Sequence, residues 1–235
     1  MSTVMRTDVD EGARADSGGP PQAVRELVSD WAGDQEAFRH VHWGKAMMWI
    51  FLLSDTFVFS SFLVSYMTMR SSVTEPWPNA SEVFSLTIGG QSVPLLLIAI
   101  MTFVLISSSG TMAMAVNYGY RRNRKVTAAL MFATAVLGAT FVGMQAFEWS
   151  KLIHEGVRPW ENPWGAEQFG ASFFMITGFH GLHVSAGVIM LLIVASKVLR
   201  GHYERRGYAA VEIAGLYWHF VDLVWVFIFA FFYLW

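Results

Sequence analysis

Ala171-Ser-Phe-Phe-Met-Ile-Thr-Gly-Phe-His-Gly-Leu-His-Val-Ser-Ala-Gly-Val-Ile-Met-Leu-Leu-Ile-Val-Ala-Ser196 is the stretch that decides the fold. Its 26 residues hold no formal charge, and His180 and His183 are its only ionisable groups. A helix needs about 20 residues to cross a hydrocarbon core of roughly 30 Å. Four more runs have the same character: 46–69, 93–116, 126–147 and 213–234. None alternates apolar with polar residues, as the strands of a membrane barrel do. The whole chain agrees, with 54 % hydrophobic, 15 % aromatic and only 14 % charged residues, where soluble domains carry about 25 % charge. The expected fold class is all-α, an integral membrane bundle of five transmembrane helices.

Orientation follows from the cations, because lysine and arginine accumulate on the cytoplasmic side. Arg6, Arg14, Arg25, Arg39, Lys45, Arg121, Arg122, Arg124, Lys125, Lys197, Arg200, Arg205 and Arg206 fall on one side. Only Arg70, Lys151 and Arg158 fall on the other. The expected N-terminus is therefore cytoplasmic and the C-terminus periplasmic. Two domains are expected: a cytoplasmic N-terminal segment over 1–44 and a five-helix membrane domain over 45–235. The first 44 residues have no apolar core of the signal-peptide kind. They read as disordered to about residue 20. A short amphipathic helix is expected after that, with Ala23, Val24, Leu27, Val28 and Trp31 on one face. The connections at 70–92 and 148–170 carry Trp beside Pro and are expected to fold against the membrane surface. The chain has no cysteine, which removes disulfides and thiolate metal sites.

Ionisable groups inside a bilayer are costly, so they face protein and mark function. Asp55 lies about ten residues into the first helix, roughly 15 Å at 1.5 Å per residue. Its sequence neighbours include no base within a turn, which makes it the candidate proton-linked carboxyl. His180 and His183 share a helix face at i, i+3, as do His219 and Asp222, and Gln145 and Glu148. Glu212, Gly215, His219 and Asp222 form one stripe, which must face other helices, since lipid offers no hydrogen-bond partner. Gly178, Gly181, Ser185, Gly187 and the stretch Ser107-Ser-Ser-Gly110 are small residues that would let neighbouring helices approach. Three readings stay open for these groups. HxxH with HxxD offers four metal ligands on two helices. Asp and His at mid-depth are proton- or solute-relay parts. His–carboxylate pairs also brace helices and bind polar lipid heads.

At these residues the chain resembles subunit III of the haem–copper terminal oxidases, the cytochrome c oxidase and quinol oxidase family. Thr177-Gly-Phe-His-Gly-Leu-His-Val184 is similar to the family's THGLHV-type motif. Glu212 followed by Tyr217-Trp-His-Phe-Val-Asp-Leu-Val-Trp225 is similar to its closing signature. Ser54-Asp55 and Gly143-Met-Gln145 with Phe147-Glu148 match two further family segments, and the resemblance covers roughly 44–235. It implies a five-helix bacterial form in the inner membrane, serving aerobic respiration without a catalytic residue of its own. The longest members of the family have seven helices, so one wall of the family's lipid cleft is expected to be missing here or supplied by another subunit. Haem and copper are expected in partner subunits, and no cofactor or metal in this chain apart from bound phospholipid. Subunits I and II of the oxidase are the expected partners, and no nucleic acid is. The resemblance places Asp55 where the family has its carbodiimide-reactive carboxyl. It gives Gln145, Glu148, His180, His183, Glu212, His219 and Asp222 the role of a buried polar, lipid-binding framework. An accessory subunit of a nitric oxide reductase and a membrane metalloenzyme are the alternatives. The electron donor, cytochrome c or quinol, is left open by the motifs.

Overall fold

The computed structural model describes residues 42–88, 91–203 and 207–234. The expected disorder to about residue 20 and the short helix after it lie outside the described residues. Five long helices carry the fold: α1 (Trp43–Ser72), α2 (Leu96–Tyr120), α3 (Arg124–His154), α4 (Glu167–Leu199) and α5 (Ala209–Phe229). A π turn, Ala230–Leu234, prolongs α5. All five are long and apolar enough to cross a membrane, so the all-α bundle expected from the sequence is what forms.

The helices outrun their expected spans because an apolar run marks only the hydrocarbon-facing part. Several of the helix ends are set by capping signals beyond those runs. His42 caps α1 by accepting from Gly44 N, and Asn123 caps α3 by accepting from Val126 N. Three helices end the same way. After α3 the Val157 N–H reaches Leu152 O and the Gly156 N–H reaches Ile153 O. After α4 His202 and Gly201 repeat the pattern onto Lys197 O and Val198 O. After α2 Asn123 and Arg122 do so onto Tyr118 O and Gly119 O. This is the Schellman motif, which needs a left-handed residue at its corner. Gly156 and Gly201 supply it freely, whereas Arg122 adopts φ 55° despite its side chain.

The span expected at 93–116 needs correction at its start. Ser85–Ile88 (β1) and Gln91–Pro94 (β2) pair antiparallel, with Ser85 opposite Pro94. Pro94 pushes the residue before it towards extended backbone, so Val93 stays in the strand. Leu95 turns left-handed at φ 59°, and α2 begins at Leu96. The connection at 70–92, expected only to fold against the membrane, thus contains a helical turn (Ala80–Val83) and a hairpin strand. Its Trp77 packs inward against Tyr66 and Phe169. Trp160 in the other long connection is largely exposed.

Within the bundle α2 packs on α3, α3 on α4, α4 on α5 and α5 back on α2, while α1 lies against α5 and α4. In lipid there is little hydrophobic drive between helices, so close packing and interhelical hydrogen bonds hold them together. Trp218 supplies both. Its ring fills the space left by two glycines: a Cβ on Gly138 would lie 2.3 Å from the ring, and one on Gly187 2.9 Å. Its indole N–H donates to Ser108 Oγ at 2.9 Å. Two turns on, the Trp225 indole donates to Thr102 Oγ1 at 3.0 Å. Among the small residues singled out from sequence, Gly187 and Gly178 do meet neighbours, Trp218 and Trp149. Gly181 and Gly110 do not: a Cβ on either would find nothing within 4 Å. Each sits one residue, hence about 100° of helix, beyond an inward-facing histidine or serine.

Candidate functional site

The candidate residues resolve into four contacts at successive depths. At the end of the bundle that carries the α2–α3 turn, Lys45 Nζ lies 2.5 Å from Glu212 Oε1, tying the start of α1 to the start of α5. Further in, Ser109 Oγ on α2 lies 2.6 Å from His219 Nδ1. Asp222, one turn along α5, is also next to Ser109. Gly215 on the same stripe meets Met112 and Val116 of α2. The stripe from Glu212 to Asp222 therefore faces protein, as membrane burial requires.

At mid-bundle Asp55 finds the base that its neighbouring turns lack. His183 of α4 places Nε2 3.5 Å from Asp55 Oδ2. The ring is oriented by its other nitrogen, which lies 2.8 Å from the Phe179 carbonyl. A carbonyl only accepts, so His183 Nδ1 carries a hydrogen. Nε2 then faces the Asp55 carboxyl, whose Oδ2 has no hydrogen-bond partner among the described residues. Tyr217 closes the site by donating to the His183 carbonyl at 3.0 Å, and the rings of Phe59 and Phe179 flank the imidazole. Asp55 is 6 % exposed.

The fourth contact lies towards the hairpin end. Gln145 Nε2 donates to Glu148 Oε2 at 3.0 Å, and Tyr233 of the π turn donates to the same oxygen at 3.3 Å. His180 stands apart from this contact and from His183's partner. It is enclosed by Phe59, Phe141 and Trp225, with Trp225 stacked on it at 5.4 Å. The HxxH and HxxD pairs consequently point to different neighbours and do not converge on one point. Among the described residues no three side chains of His, Cys, Asp or Glu gather as a metal cage.

Beside these contacts an apolar groove of about 980 Å³ runs between α1 and α5. Its walls include Trp49, Leu63, Phe220 and Phe227, with His219, Thr56, Ser60, Thr68 and Ser71 as its polar points. Sequence reasoning placed the acids and histidines of the four contacts but missed their partners. Ser109, Tyr217, Trp218, Trp225 and Tyr233 were not singled out as individual partners, and Lys45 was counted only as a cation. The signal was available for the tryptophans, which stand at i, i+7 on α5 in phase with the polar stripe.

A family model described as cytochrome c oxidase subunit III matches residues 29–235. The chain belongs to that family. Subunit III proteins similar to it include a "Probable quinol oxidase subunit 3" from Staphylococcus saprophyticus, 31 % identical over 185 residues. A protein of the same name from Staphylococcus aureus is 32 % identical over 185 residues. Each alignment covers 79 % of this chain and 85 % of the relative. This subunit III is thus a multi-pass bacterial membrane protein. It is one subunit of an oxidoreductase complex and works alongside other oxidase subunits.

Proposed function

We propose that the chain is the non-redox subunit III of a proton-pumping terminal oxidase. In this reading it braces catalytic subunit I beside subunit II, holds phospholipid and supports proton uptake into subunit I. Haem and copper belong to the partner subunits, and oxygen is reduced to water there. The start of α1 faces the cytoplasm, and the end of the π turn the periplasmic side of the inner membrane. The names of the relatives favour an oxidase over a nitric oxide reductase and support quinol as the electron donor of the complex.

One observation carries the reading: the Asp55–His183 contact, a buried carboxyl facing an imidazole at mid-bundle between two helices. A carboxyl and an imidazole in a membrane are retained for a function that needs them. The α1–α5 groove supports the lipid role, since its apolar walls suit acyl chains. The remaining polar residues, Gln145, Glu148, His180, Glu212, His219 and Asp222, form the framework that keeps the helices in register.

Substituting Asp55→Asn tests the proton-linked role. The amide keeps the shape of the side chain but cannot take up or release a proton. The purified complex should assemble and start at a near-normal oxygen-consumption rate, then inactivate after fewer turnovers. An unchanged turnover lifetime and pumping ratio would remove Asp55 from proton supply.

A further inference from the structure

The α1–α5 groove carries a single ionisable group, His219. Among its other polar points, Thr56, Thr68 and Ser71 give their hydroxyl hydrogens to carbonyls of their own helix, at Leu52, Val64 and Thr68. Hydroxyls tied back in this way need no ligand. His219 is different. It is half-buried, and its Nδ1 lies 2.6 Å from Ser109 Oγ of α2. Every residue lining the groove comes from α1, α5 or the π turn, and none from α2. The ring therefore turns Nδ1 away from the groove and lines it with its far edge, which carries Nε2. Nε2 has no hydrogen-bond partner among the described residues.

Depth argues against an ordinary lipid head at this point. His219 stands seven residues beyond Glu212 on α5, about 10 Å at 1.5 Å per residue. The Lys45–Glu212 pair marks the level at which charge is tolerated. A phospholipid keeps its phosphate and esters near that level and would offer His219 only methylenes. The groove asks instead for a neutral ligand with a polar ring or carbonyl carried deep and an apolar remainder. Its volume of about 980 Å³ is that of a small-molecule site, mostly apolar with a few polar groups to fix orientation.

The groups behind His219 narrow the ligand further. Asp222 stands against the same Ser109 hydroxyl, which has one hydrogen to give. With Asp222 ionised, Ser109 donates to the carboxylate and accepts from Nδ1–H, which leaves Nε2 an acceptor. With Asp222 protonated, the carboxyl donates to Ser109, Ser109 donates to Nδ1, and Nε2–H becomes a donor. The two arrangements differ by one proton. A ligand that alternates between donor and acceptor at one position meets a partner in both of its states. A quinol hydroxyl donates where the oxidised quinone carbonyl accepts.

We propose that the α1–α5 groove binds an isoprenoid quinone, its ring on His219 Nε2 and its tail along Leu63, Met67, Phe227 and Phe231. The site rests on the reading of the complex as a quinol oxidase, and it holds the quinone without passing electrons.

The intact complex is the sample for the test, and an azido-substituted isoprenoid quinone is the probe. After illumination, peptide mapping should place label on α1 or α5 of this subunit. Unlabelled quinone should displace it, and excess phospholipid should not. In His219→Leu, labelling at limiting probe should fall about tenfold, the worth of one hydrogen bond. Leu223→Trp fills the groove from its wall and leaves Ser109, His219 and Asp222 in place; it should lower labelling as well. Label confined to other subunits, label displaced by phospholipid, or undiminished labelling in either variant overturns the proposal. Quinol oxidation by the same sample separates the two readings. A complex that oxidises quinol with no label in the groove loses this site alone. A complex that oxidises cytochrome c and not quinol loses the donor reading and the site with it.

Discussion

Trp218 shows how single residues set this bundle. Its ring occupies the space of two absent side chains, on Gly138 and Gly187, and its N–H is satisfied by Ser108. Gly138→Ala should therefore destabilise the subunit by about 1–3 kcal/mol, since an added methylene in a filled core forces side chains and backbone to shift. Gly110→Ala, with open space around it, should be neutral or stabilise by up to about 1 kcal/mol through helix propensity. Thermal retention of this subunit in the purified complex measures both; equal effects would mean that Trp218 does not fill that space. The glycines were visible in the sequence, but their direction was not. Gly181 and Gly187 look alike in a list of small residues, and only helix rotation puts one against Trp218 and the other against nothing. The same holds for Asp55. Its depth could be read from the apolar run, whereas His183 comes from another helix and no local pattern announces it.

At the scale of the helix, the apolar runs located all five elements but not their ends. Ends depend on caps and turns. Val93 reads as apolar and helical until Pro94 is considered, and the structure places it in a strand. The Schellman ends of α3 and α4 are legible from Gly156 and Gly201. The matching end of α2 is not, because Arg122 occupies the left-handed corner. That corner costs a non-glycine residue about 1–2 kcal/mol. Arg122→Gly should accordingly raise the melting temperature of the complex, by an amount corresponding to about 0.5–1 kcal/mol after glycine's own entropy loss. A lower melting temperature would mean that the Arg122 side chain contributes more than its backbone loses. Nothing in the composition of Ala230–Leu234 marks a π turn, although that turn carries Tyr233, the buried partner of Glu148.

For the molecule as a whole, the bundle has a closed set of four helices and a first helix held at its side. That arrangement leaves the α1–α5 groove open to acyl chains or to a neighbouring subunit. Family and membrane class were legible because two motifs, around His180–His183 and His219–Asp222, combine unusual polar residues with membrane-length runs. The open metal reading came from the same residues, since spacing alone does not say where side chains point. In space they turn to separate partners. Isolating the native complex through a tag on this subunit tests the account most directly, by polypeptide composition, haem spectrum and metal content. The account predicts co-purification with a haem–copper catalytic subunit, an oxidase haem spectrum, and no metal retained when this chain is separated. Recovery of this chain without such a subunit, or with a stoichiometric metal of its own, would contradict it.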